Sequence, residues 1–151
     1  MLRKKIDQAM KAAMKAQEKL RLSTLRLVQA AIKNADIEAR TAGKPPLSDD
    51  DLLGLLQKQI KQRQDAIELY DKGGRAELAK KERDEIEIIK GFLPAQLSEA
   101  EAKEAIAGVI KDVGAAGMKD MGKVMAALKE RYAGKMDFGK ASGMVKGLLA
   151  G

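Results

Sequence analysis

From Leu2 onward the apolar residues of this chain recur at intervals of three and four, the spacing of helices that bury one face. Leu2, Ile6, Ala9, Met10, Ala13 and Met14 predict a first helix over 2–17, with Lys4, Lys11 and Lys15 on the opposite stripe. A second helix, over 20–40, turns Leu25, Val28, Ile32 and Ala35 inward and sets Arg26, Lys33 and Arg40 seven residues apart along a flank; Gly43-Lys44-Pro45-Pro46 ends it. Ser48 is placed to cap a third helix whose first turn holds Asp49, Asp50 and Asp51, where the helix dipole favours carboxylates. Its apolar stripe reads Leu53, Leu56, Ile60, Ile67 and Tyr70, and Gly73-Gly74 closes it. A fourth helix over 75–90 carries Leu78, Ile86 and Ile89.

Phe92-Leu93-Pro94-Ala95-Gln96 breaks the pattern, and Ser98-Glu99-Ala100-Glu101 restarts it as a capping box. Three shorter helices are expected, over 98–113, 120–132 and 137–149. In the last, Gly139, Gly143 and Gly147 make a smooth face suited to close helix packing. The chain therefore reads as all-α: an amino-terminal domain of about four helices (1–92), a linker (93–97) and a three-helix carboxy-terminal domain (98–151). With two Tyr, two Phe and no Trp, the core must come from Leu, Ile, Val, Met and Ala.

The whole formal charge of +7 lies in the first 33 residues, where nine Lys and Arg meet only Asp7 and Glu18; beyond them the two signs balance. An asymmetry of this kind points to nucleic acid or another anionic surface. Zero Cys and zero His remove thiolate chemistry, the commonest metal ligand and the commonest general base, so no metal, cofactor or catalytic residue is assigned. Without an apolar leader or a membrane-length apolar run, the expectation is a cytoplasmic protein that does not enter membranes.

Several charges fall on apolar stripes. Arg21 precedes Val28 by seven residues, Arg63 lies between Ile60 and Ile67, and Glu82 and Glu85 lie between Leu78 and Ile89. A buried charge needs a partner, so these four are expected to form a structural ion cluster. Gly117-Met118-Lys119-Asp120-Met121-Gly122-Lys123 has the spacing of a phosphate-binding loop, but Val124 stands where Ser or Thr is needed and no strand precedes it. The last third has a local net charge of +4 from Lys119, Lys123, Lys129, Arg131, Lys135, Lys140 and Lys146 against Asp120, Glu130 and Asp137. Aromatic side chains for stacking bases are scarce, which favours backbone or shape recognition of folded RNA.

Five stretches carry a resemblance: Leu22-Ser23-Thr24-Leu25-Arg26-Leu27-Val28-Gln29-Ala30-Ala31-Ile32-Lys33-Asn34, Lys61-Gln62-Arg63-Gln64-Asp65-Ala66-Ile67-Glu68, Gly73-Gly74-Arg75-Ala76-Glu77-Leu78, Phe92-Leu93-Pro94-Ala95-Gln96-Leu97-Ser98 and Lys119-Asp120-Met121-Gly122-Lys123-Val124-Met125. In order and spacing the chain resembles the GatB/YqeY family in its stand-alone form. The resemblance implies a helical amino-terminal domain and a three-helix carboxy-terminal one. It also implies kinship with the tail of the B subunit of tRNA-dependent amidotransferase, which contacts tRNA. The family carries a label of carbon-nitrogen ligase activity with glutamine as nitrogen donor. That chemistry needs a kinase-like ATP site and a Ser-Ser-Lys glutaminase, and neither motif occurs here.

The reading that follows is a tRNA-binding or adaptor module. Arg3, Lys4, Lys11, Lys15, Arg26 and Lys33 are expected on phosphates, with Lys119, Lys123, Lys129 and Lys140 as a second contact. Two alternatives stay open. One is a protein-interaction module docking on an amidotransferase subunit or an aminoacyl-tRNA synthetase through the second domain. The other is a catalyst using Glu82, Glu85 or Lys119.

Overall fold

Seven α-helices and one 3₁₀ turn make up the computed structural model, which describes residues 1–150 and contains no strand among them. Contacts divide the chain into two units, Met1–Leu93 and the remainder from Pro94 on. The first unit holds α1 (Leu2–Lys15), α2 (Lys19–Thr41), α3 (Asp49–Lys72) and α4 (Ala76–Lys90). The second holds α5 (Glu99–Val113), the turn Met118–Asp120, α6 (Met121–Arg131) and α7 (Phe138–Ala150).

Helix ends follow local chemistry. Ser48 and Ser98 both form full capping boxes, with Asp51 and Glu101 reaching back to the cap backbone. At the other end, α1, α2, α3 and α5 finish in one motif, in which two amides just past the helix donate back to its last carbonyls. The motif requires a left-handed residue, supplied by Gly43, Gly74 and Gly114 in three cases and by Gln17, at φ 57°, after α1. That is why α1 stops at Lys15 rather than running to Gln17.

In the first unit Leu2, Ile6, Val28, Ile32, Leu52, Leu56, Ile60, Ile86 and Ile89 form one buried cluster. Burying side chains of this size stabilises by about 1.5–3 kcal/mol each relative to exposure, before chain entropy is subtracted. The stripes shift slightly from those expected. Met14, expected inward, is exposed, because α1 ends beside it; on α4 Ala79 is fully buried in place of Leu78, which faces solvent. On α3 Leu52 lies deeper than Leu53. The second unit packs Ala102, Ile106, Val109, Val124, Leu128, Met136, Ala141 and Val145. Gly143 and Gly147 do not serve close packing: a Cβ on either would meet nothing within 4 Å.

Candidate nucleic-acid interface

A stripe on α1 and the adjoining face of α2 set the basic surface of the first unit. On α1 the positions of Lys4, Lys11 and Lys15 fall within one turn-face opposite Leu2, Ile6 and Ala13, because intervals of seven and four nearly repeat the helical period. Against this helix lies α2, and between them runs a groove of about 510 Å³ lined by Arg3, Lys4, Ile6, Asp7, Gln29, Ile32, Lys33 and Asp36. Its apolar floor is Ile6 and Ile32, and its cationic rim is Lys4 on one wall and Lys33 on the other.

The ten cations expected on phosphates have different fates. The Arg3 guanidinium donates to both oxygens of Asp36, at 2.7 and 2.8 Å, and to the Leu47 carbonyl at 3.0 Å. Asp36 also accepts from the Leu47 N–H at 3.0 Å. Arg3 is thus a clamp joining the start of α1, the end of α2 and the loop before α3. Hydrogen bonds from Arg3 first and Leu47 second hold the Asp36 pKa down at about 2; the same bond raises that of Arg3. Lys11 lies 3.6 Å from Asp7, one turn away on its own helix. Lys4, Lys15, Arg26 and Lys33 are exposed and, among the described residues, make no ion pair.

In the second unit the expected lysines do not form one face. Lys119 sits in the 3₁₀ turn and Lys123 in the first turn of α6, both close enough to Asp120 to help depress its pKa, although the Ala116 N–H is the larger cause. Lys129 lies six residues past Lys123, about 120° around the helix. Lys140 borders a separate groove of about 740 Å³ between the starts of α5 and α7, floored by Ala102, Met136, Ala141 and Met144.

Three of the four charges expected in a cluster are together. Arg63 on α3 donates to Glu82 at 3.0 Å and to Glu85, both on α4. Arg21 is not part of it: the side chain lies half-exposed 3.9 Å from Glu18, the residue that precedes α2. The seven-residue spacing to Val28 puts Arg21 on the buried stripe, but it stands in the first turn of α2, where the side chain reaches water. Both carboxylates are committed to Arg63. No group of three acidic side chains able to hold a metal ion occurs among the described residues.

The Arg3–Asp36–Leu47 clamp was missed from sequence. Nothing local pairs residues 33 and 44 positions apart, and the only available hint is that Asp36 is the first acid after a long basic stretch.

Comparison with known proteins assigns the chain to a family. The chain is 35% identical over 129 residues to the fungal "Altered inheritance of mitochondria protein 41, mitochondrial" of Pyrenophora tritici-repentis, covering 81% of this chain and 68% of the relative. It is 39% identical over 107 residues to the protein of the same name from Lachancea thermotolerans, covering 69% of this chain and 55% of the relative. The match therefore spans little more than half the length of the second relative. These names overturn the expectation of a cytoplasmic protein, since both designate mitochondrial proteins. The expectation turned on the lack of an apolar leader, whereas mitochondrial targeting uses amphipathic, basic segments. The resemblance read from five motifs has its counterpart in the family model for Yqey-like protein, which matches residues 3–149. The chain belongs to the Yqey-like protein family.

Proposed function

We propose that the protein is an RNA-binding module, with tRNA as its ligand, related to the tail of the amidotransferase B subunit. The observation that carries this reading is the set of exposed cations Lys4, Lys15, Arg26 and Lys33 on two packed helices, free of acidic partners among the described residues. Lys11 joins them once phosphate competes with the exposed Asp7. Arg3 takes a different part from the one expected of it, positioning α1 against α2 rather than meeting phosphate. Lys119, Lys123, Lys129 and Lys140 remain a second contact in this proposal, spread over more than one face.

Neutralising five phosphates through these cations implies that log affinity falls with log salt at a slope of about −4, since each contact releases counterions. Filter binding of the full chain to unfractionated tRNA at about 50 mM salt tests this. Lys4→Gln/Lys15→Gln should weaken binding and flatten the slope by about two contacts. Absence of tRNA affinity at that salt disposes of the proposal.

A further inference from the structure

The outward face of α2 carries a second stripe that lies outside the buried core of its own unit, with Leu20 at its start half-buried. Leu20, Leu27, Asn34 and Thr41 alternate with Ser23, Ala30 and Ile37 at intervals of three and four, the repeat of a helix that lies along another helix. The core takes Leu25, Val28 and Ile32 from the opposite side, whereas Leu27 is 55% and Ile37 54% exposed. Beside the stripe run Lys19, Arg26, Lys33 and Arg40 at seven-residue spacing. All four are exposed and, among the described residues, none makes an ion pair.

We infer that this face docks an amphipathic helix of a partner protein, its apolar seam on Leu27, Ala30 and Ile37 and its flank acidic. Charge selects that occupant. A helix with Glu or Asp every seventh residue matches all four cations over a seam about 30 Å long. A second copy of this chain brings the same four cations and, on the other edge of the stripe, only Glu38 as an acid. Phosphate contacts would use the cations and leave two exposed aliphatic side chains without a role. Asn34, polar in the middle of the seam, sets one register over its neighbours. The inference goes beyond RNA binding, because it rests on the exposed aliphatic side chains Leu27 and Ile37, which phosphate contacts do not use; Arg26 and Lys33 on α2 border both surfaces, whereas Lys4 and Lys15 lie on α1 and belong only to the RNA one.

The test is fluorescence anisotropy on the full chain with a designed 21-residue helical peptide carrying Leu on its seam and Glu on its flank. Its control carries Lys on the flank. The Glu peptide should bind at least tenfold more tightly than the Lys peptide. L27S/I37S, which alters only exposed side chains, should weaken it at least tenfold, while K4Q/K15Q should leave it within about threefold. Equal affinity for the two peptides, or indifference to L27S/I37S, overturns the inference. So does a dimer in sedimentation that L27S/I37S dissolves, which gives the face to a second copy. A tenfold loss of tRNA affinity in L27S/I37S gives it to RNA and overturns the inference too. The RNA reading fails separately, by tRNA binding that K4Q/K15Q does not change.

Discussion

Replacing Arg63 by Met leaves Glu82 and Glu85 facing each other with no counter-charge. The side chains of Arg63, Glu82 and Glu85 are 14%, 21% and 7% exposed, so Glu85 has almost no route to water, whereas Glu82 can swing outward. Removing one partner of a buried pair costs about 3–5 kcal/mol, and the escape open to Glu82 puts this case at the lower end, about 3 kcal/mol. For a domain of this size that is a large share of the total stability. Arg63→Met/Glu85→Leu removes the trapped carboxylate as well and should recover about 2 kcal/mol, because an apolar pair of similar volume replaces the ions. Native-state hydrogen exchange of α3 and α4 amides reads this unit apart from the other. A loss below about 1 kcal/mol for Arg63→Met, with no recovery in the double variant, would show that the three charges are solvated and refute the reasoning.

Three further outcomes are expected. The Asp36 carboxylate, held at about 2, lies below its unfolded value, so its contribution is complete above the ordinary carboxylate range and is lost as pH falls from about 4 towards 2. The Leu47 amide resonance should titrate with a midpoint near 2, and Asp36→Asn should abolish that step; a midpoint near 4 contradicts the clamp. Gln17→Gly relieves a left-handed conformation and should raise thermal stability by about 0.5–1 kcal/mol; a loss would mean that the Gln17 side chain has a role of its own. Gly54→Ala and Gly108→Ala sit inside helices facing open space, and each should stabilise by about 1 kcal/mol in urea melts, a result that fails if either variant is destabilised.

Features set by near neighbours in the chain were legible in the sequence. The three- and four-residue spacing of Ile6, Val28, Ile32, Leu56 and Ile89 names much of the first core, and Ser48 and Ser98 announce their own helix starts. Arg63 with Glu82 and Glu85 was also readable, because each charge interrupts an apolar stripe deep within a helix. Arg21 shows the limit of the same argument: the stripe continues to it, but burial depends on what packs opposite, and near a helix start water does. Leu78 and Ala79 differ by one position, about 100° on the helix, and only the neighbouring helices decide which of them turns inward. The pairing of Arg3 with Asp36 and Leu47 was hidden for a related reason. The Arg3 charge belongs to a basic run, while its partners lie on α2 and in the loop before α3, and spacing along the chain carries no information about either.

Under the RNA reading proposed above, the Arg3–Asp36–Leu47 clamp also bears on which polyanions the basic surface would accept. A floppy basic tail adapts to any sequence of negative charges and treats heparin, lipid and RNA much alike. Here one guanidinium ties both walls of the groove near one end, so the backbone positions that carry Lys4 and Lys33 are held relative to each other, while the two ammonium groups keep the freedom of their flexible stems. On that same RNA reading, walls held at one separation favour phosphates that a folded scaffold keeps at a matching distance over charges that slide past them.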